Sequence, residues 1–148
     1  MPTTRVTRTL PAPPAAVWRV LDDPHHLPRW WPRVARVEGV ERDRFTQVLA
    51  ASSGKQIRAD FRVGAREEAA LLRWEQELDG SPFERLLASA VTTFTLVPAD
   101  DGSGGTVVAV ELRQRLRGWA RLVPFLFRRA AQRQLGEALA ALAAATAR

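Results

Sequence analysis

The sequence contains no cysteine and no tyrosine. Lack of cysteine excludes disulfide staples, thiol catalysis, iron–sulfur clusters and cysteine-based zinc sites, although it leaves the compartment open. Lys55 is the only lysine, so the formal net charge of +6 is carried by arginine. Histidine is scarce as well: His25 and His26 stand side by side in DPHHLPRWW (Asp23–Trp31). Adjacent residues on a regular element point in different directions, so this pair reads as a polar helix start or a surface turn, not as two ligands of one metal. No apolar run approaches the ~20 residues of a membrane span. The opening MPTTRVTRTLPAPPAAVW has no continuous apolar core, so it reads as the first structural element and not as a signal peptide, with a cytoplasmic location as the expectation. Nucleotide loops, nucleophile elbows, metal signatures and calcium loops are also missing. Gly102-Ser103-Gly104-Gly105 is glycine-rich, but acidic residues precede it and a strand follows, as in a hairpin loop. On this reading the sequence offers no catalytic residue, no metal ligand and no cofactor site.

What is present suffices for one packed domain spanning residues 1–148. The chain is 46% hydrophobic, and a domain of this size buries roughly 68–70% of its extended-chain surface. No linker or internal repeat interrupts it. Arg5–Leu10 alternates as a first strand and stops at Pro11. Pro13-Pro14 then opens a helix, because proline costs nothing at a first helical position, and Val17, Val20 and Leu21 follow at helical spacing. Pro24–Trp31 reads as a second short helix or turn, closed by Pro32.

Strand character takes over for about eighty residues. Val34–Val40 and Phe45–Ala51 form a pair. Ile57, Ala59, Phe61 and Val63 alternate strictly with Arg58, Asp60 and Arg62, and Gly64 is expected to end that strand. Ala70, Leu72, Trp74, Gln76 and Leu78 share one face of the next. Leu86, Ala88, Ala90, Thr92, Phe94 and Leu96 share a face of a long strand, as do Val108, Val110, Leu112, Gln114 and Leu116 of the last. From about Arg121 the period becomes 3.6, with Phe127, Ala131, Gln134, Leu135, Ala138, Leu139 and Leu142 as an apolar stripe. The order is strand, two short helices, six strands, long helix. A helix that long must be covered, and the inner face of the sheet is the large apolar surface available, which predicts an α+β fold with room for a ligand between the two layers.

The run from Ala12 to Val40, APPAAVWRVLDDPHHLPRWWPRVARVEGV, together with KQIRADFRV (Lys55–Val63), LLRWEQE (Leu71–Glu77) and the glycine-ended last strand before the helix, resembles the START-like helix-grip (SRPBCC) superfamily. The nearest branch is that of polyketide cyclase/dehydrase and lipid transport proteins. The resemblance covers essentially the whole chain and implies a curved seven-stranded antiparallel sheet around the long C-terminal helix. It also implies a ligand cavity walled by Phe61, Leu72, Trp74, Thr92, Phe94, Val110, Leu112 and Gln114, with Phe127, Ala131 and Leu135 opposite, and Trp30-Trp31 at the edge of its entrance. Gln76, Thr92 and Gln114 stand out as polar residues on apolar faces; each needs a protein, water or ligand partner, since a buried orphan costs roughly 1–3 kcal/mol. Asp60 faces outward with Arg58 and Arg62, where surface ion pairs are expected.

Three functions follow as expectations. The first is binding or transport of a small hydrophobic ligand, such as a lipid, a quinone or an aromatic polyketide-like molecule, without a cofactor. The second is a polyketide-type cyclase or dehydrase, against which stands the absence of tyrosine and the confinement of both histidines to one loop. The third is an interaction or toxin/antitoxin-like module with a vestigial cavity. Arg113, Arg115, Arg117, Arg121, Arg128, Arg129 and Arg133 occur with no acid between Glu111 and Glu137. This stretch admits peripheral contact with an anionic membrane, an acidic partner or simple solvation. It lacks the marks of a nucleic-acid binder. The oligomeric state is not legible.

Overall fold

A computed structural model describes residues 2–147. Seven strands form one antiparallel sheet: β1 (Thr3–Leu10), β2 (Val34–Glu38), β3 (Arg44–Ala50), β4 (Gln56–Glu67), β5 (Leu71–Glu77), β6 (Leu87–Pro98) and β7 (Thr106–Leu116). Their spatial order is β1-β7-β6-β5-β4-β3-β2. From β2 to β7 the chain is a meander of hairpins, and β1 adds to its far side by pairing with β7, Val6 opposite Val110. β1 and β2 are therefore opposite edges, and the segment between them must cross the sheet. That crossing carries α1 (Pro14–Leu21), a 3-10 turn (Pro24–His26) and α2 (Leu27–Trp30). A 3-10 turn over Gly118–Leu122 leads from β7 into α3 (Pro124–Thr146), whose 23 residues at 1.5 Å each span about 35 Å. This is the helix-grip arrangement that the resemblance implies.

Local chemistry explains the element ends. Pro14 occupies the first turn of α1, whose Val17, Trp18 and Leu21 are buried. The Asp23 carboxylate accepts the His25 N–H at 3.0 Å, which caps the following turn. Two details depart from the alternation read in the sequence. Gly64 does not end β4; the strand runs on to Glu67 with a bulge between Val63 and Ala65. A Cβ there would meet the carboxylate end of the Glu75 side chain of β5, which would have to swing aside. A second bulge, between Leu87 and Ser89, shifts the start of β6, so Leu87 and Ala90 are buried while Ala88 is exposed. Bulges add one residue to one strand and flip everything beyond it.

The concave face of the sheet carries Leu72 and Trp74 of β5, Phe94 and Leu96 of β6, and Val108, Val110 and Leu112 of β7. Ala131, Leu135, Ala138, Leu139 and Leu142 of α3 pack in the same cluster, with Val17, Leu21 and Leu27 from the short helices. Each fully buried Leu or Val contributes about 1.5–3 kcal/mol. A separate, smaller cluster of Leu78, Leu87 and Ala90 gathers Phe83, Leu86, Leu116 and Phe127. The convex face is a lattice of cross-strand ion pairs, among them Arg44–Glu77 and Arg62–Glu75; exposed pairs of this kind contribute little. Asp60 lies on that face as expected, but its observed partner is the Thr46 hydroxyl of β3 and not a neighbouring arginine.

Candidate functional site between sheet and helix

The crossing segment decides what lies inside the grip. α2 ends at Trp30, because Pro32 disfavours a helical conformation at Trp31, whose backbone is extended (φ −86°, ψ 127°). The change of direction sends both indoles into the concave side, 2% and 7% exposed. Their ring centroids are 5.6 Å apart and edge-to-face. Trp31 lies 5.2 Å from Trp74, and Trp30 5.8 Å from Phe94. Trp74 is the hub of the cluster: Phe94 is 4.9 Å away and Phe45 5.4 Å, and Phe61 stacks on Phe45 at 9°. Such offset and edge-to-face pairs add about 0.5–1.5 kcal/mol each beyond area burial.

Of the wall residues named from the sequence, Leu72, Trp74, Thr92, Phe94, Val110, Leu112, Ala131 and Leu135 are buried on this side, and Phe61, Gln76, Gln114 and Phe127 are half-buried. Register puts Thr92 between Trp74 and Leu112. Gln76 sits opposite Phe61, and Gln114 opposite Ala90. Phe127 joins the smaller cluster and so stands apart from the aromatic group. Trp30 and Trp31 are inside and not at an exposed rim.

Sequence reading missed the inward residues of β3. Phe45 and Gln47 are buried, and Leu49 is partly so. The signal was available, since Phe45, Gln47 and Leu49 alternate like the inward residues of the neighbouring strands. Gln47 is only 1% exposed and its Nε2 has no protein acceptor. Trp30 Nε1 is in the same condition, as is the Thr4 hydroxyl on β1. The interior thus holds two unpaired N–H donors among apolar and aromatic side chains. Each unmade bond costs about 1–3 kcal/mol unless something accepts it.

A cleft of about 270 Å³ opens between the β2–β3 side of the sheet and α3, lined by Pro32, Arg33, Leu49, Ala130, Arg133, Gln134 and Glu137. Larger grooves exist on the outer surface, but this one lies between the two layers, and Pro32 in its wall follows Trp31 directly. Arg33 holds a left-handed backbone (φ +68°), which costs a non-glycine residue about 1–2 kcal/mol. Its carbonyl accepts the Ala50 N–H at 2.8 Å, tying this strained corner to the end of β3.

The electrostatics of the interior are plain. Among the described residues the buried polar side chains are Thr4, Gln47, Thr92, Thr106 and Thr146, none of them ionisable. Thr106 donates to the Ala12 carbonyl at 2.7 Å and Thr146 to that of Leu142 at 2.8 Å. Three carboxyls held below their ordinary range stand at the surface. For Asp23, partial burial works upward, but hydrogen bonds from the His25 N–H and ring and the nearby histidine charges outweigh it. Glu38 is lowered by hydrogen bonds from Arg36 and Arg58, and Asp101 by those from the Ser103 hydroxyl and N–H. Among the described residues no three acidic or histidine side chains are grouped as a metal site would need.

This geometry coincides with a sequence match. The family model described as polyketide cyclase / dehydrase and lipid transport matches residues 1–147. The chain belongs to that family, within the START-like superfamily. Solved structures agree on the fold. A START superfamily protein from Mycobacterium smegmatis superposes with a TM-score of 0.77 at 14% identity, over 97% of this chain and 96% of its own. A conserved protein from Geobacillus kaustophilus gives 0.78 at 14%, over 99% and 95%. A protein from Thermus thermophilus gives 0.74 at 25%, over 96% and 94%. No curated protein matches the chain. The fold and the family are consistent with a small hydrophobic ligand held between sheet and helix.

Proposed function

We propose that the protein is a carrier that sequesters a small, flat, apolar molecule bearing an acceptor oxygen, such as a quinone or an aromatic ketone of polyketide type. The observation that carries this reading is the pair of buried donors without protein acceptors, Trp30 Nε1 and Gln47 Nε2, within an interior otherwise lined by rings and aliphatic chains. A carbonyl on the ligand would satisfy such a donor, while the rest of the molecule would gain roughly 25 cal/mol per Å² of apolar surface buried. The cleft beside Arg33 and Leu49 is the route of access, and Trp31, next to its wall, is the side chain that must yield. Family membership supports a hydrophobic ligand. That none of the buried polar side chains among the described residues is ionisable supports carriage over cyclisation, because acid–base chemistry needs an ionisable group at the reacting atoms.

A second reading has one observation in its favour. The rings of Trp30, Trp31, Trp74 and Phe94 touch one another across the space a ligand would take. That contact favours a closed interior, with interaction through a surface instead.

Titration with the neutral probe N-phenyl-1-naphthylamine separates the two. Carriage predicts saturable, one-to-one quenching of tryptophan emission with sensitised probe emission. The signal should persist in W119F, which removes the only tryptophan of the outer surface. Linear, non-saturating uptake, or loss of transfer in W119F, would contradict carriage.

A further inference from the structure

The first two turns of α3 stand outside the main core cluster, and Phe127 packs only on the smaller one. From Pro124 to Ala130 no residue is buried, and the buried stripe begins only at Ala131. Yet this stretch and the 3-10 turn before it are apolar. Trp119, Leu122, Phe125 and Leu126 are 62%, 81%, 59% and 48% exposed. They lie within eight residues, and they are held compactly: Val123 N–H donates to Ala120 O, and Leu126 N–H to Val123 O, each at 3.1 Å. Ala120, fully buried, anchors the turn from beneath. Gly118 makes the turn possible with a left-handed backbone (φ +63°), and a Cβ there would press on the Arg85 carbonyl at 3.2 Å. The Arg117 N–H donates to Leu86 O at 2.8 Å. The apolar residues are thus presented on a fixed platform.

Arginines surround them. Arg117, Arg121, Arg128 and Arg129 are exposed within and beside the patch. Beside it runs a groove of about 750 Å³ whose wall includes Arg115, Arg117 and Arg121 and no acidic residue. Pro124, at the head of α3, lines the same groove. No acidic side chain occupies the first turn of this helix, and no side chain caps it, so its partial positive charge adds to that of the arginines.

We infer that this face docks the protein on an anionic phospholipid bilayer. Trp119, Leu122, Phe125 and Leu126 enter the interface while the groove of Arg115, Arg117 and Arg121 takes a phosphate headgroup. A protruding apolar tip ringed by arginine is the pattern of interfacial attachment, and tryptophan is favoured at that depth. A second copy of the chain fits worse, because pairing two such faces would oppose their arginines in a low-dielectric contact. No helix among the described residues is long and apolar enough to cross a membrane, so the attachment is peripheral. It stands independently of what the grip holds.

The test is flotation of the full chain with vesicles of phosphatidylcholine alone and with 30% phosphatidylglycerol, at about 0.05 and 0.5 M salt. Binding is expected to the anionic vesicles only, and to weaken at high salt as exposed charges are screened. L122S/F125S should lower the bound fraction about tenfold or more, and R117Q/R121Q should do the same by removing roughly a fivefold preference for each charge. Both doubles should keep the wild-type melting temperature, because all four side chains are exposed. Equal binding to neutral vesicles, no binding to either, or indifference to both doubles would overturn the proposal. So would a concentration-dependent dimer abolished by L122S/F125S, which would assign the face to a second copy.

Discussion

The two parts of α3 are built from similar residues and do opposite things. From Ala131 to Thr146 the helix turns Ala131, Leu135, Ala138, Leu139, Leu142, Ala143 and Thr146 into the grip. From Pro124 to Ala130 it carries larger apolar side chains, Phe125 and Leu126 among them, and buries none of them. The C-terminal part packs small and medium residues at close spacing against β1, β7 and the short helices. The N-terminal part packs Phe127 on the end of the sheet, through the smaller cluster around Leu87. Apolar character alone therefore does not decide burial. What decides it is whether the sheet and the crossing segment supply a surface opposite.

The sharpest way to break this contrast is a matched pair of truncations. L139A removes a side chain 1% exposed in the main cluster and should cost about 2–5 kcal/mol. At roughly 2–4 °C per kcal/mol for a chain this size, the melting temperature should fall by about 4–20 °C. L126A should stay within about 0.5 kcal/mol of wild type. Equal losses in calorimetry would show that the head of the helix belongs to the core after all.

A smaller effect of opposite sign tests the interior. Q47L keeps the volume beside Ala59, its partner on β4, but deletes the unpaired Nε2. The ligand-free protein should gain about 1–3 kcal/mol in urea denaturation, while a ligand held through that amide should dissociate faster. A net loss of stability would mean that Gln47 is already satisfied within the fold.

The smallest effect calibrates the surface. Asp23 caps the turn before α2 and its pKa lies below the usual 3.8. A carboxyl depressed in the folded state stabilises above its unfolded pKa, and that contribution is lost as pH falls through the folded value. D23N should therefore cost less than about 1 kcal/mol at neutral pH. The gap from wild type should close below pH 3.8, as followed by thermal melts across pH. A gap that persists in acid would assign the loss to something other than the charge.

The outline of the fold was legible because alternation in β4, β5 and β7 and the 3.6 period of α3 are properties of the local sequence. The two bulges were not, because they depend on what the neighbouring strand places opposite: Gly64 sits where the Glu75 side chain needs room. At the site, Trp74, Phe94 and Thr92 were readable as inward-facing. The depth of Trp30 and Trp31 was not, since it follows from how far the crossing segment dips beneath the sheet. Gln47 was readable in principle, through its alternation with Phe45 and Leu49. Exposure of Leu122 and Phe125 was invisible, because an apolar residue at helical spacing looks the same whether or not a surface faces it.

The direct measurement of what the grip is for is native mass spectrometry of the protein purified from its own host, followed by denaturation and extraction. Carriage predicts a reproducible adduct at one per chain that is released on unfolding and proves to be an apolar molecule with a carbonyl or similar acceptor, and the same adduct should be depleted in Q47L. A clean ligand-free mass from repeated preparations, with Q47L indistinguishable, would contradict it and leave the aromatic cluster as packing alone.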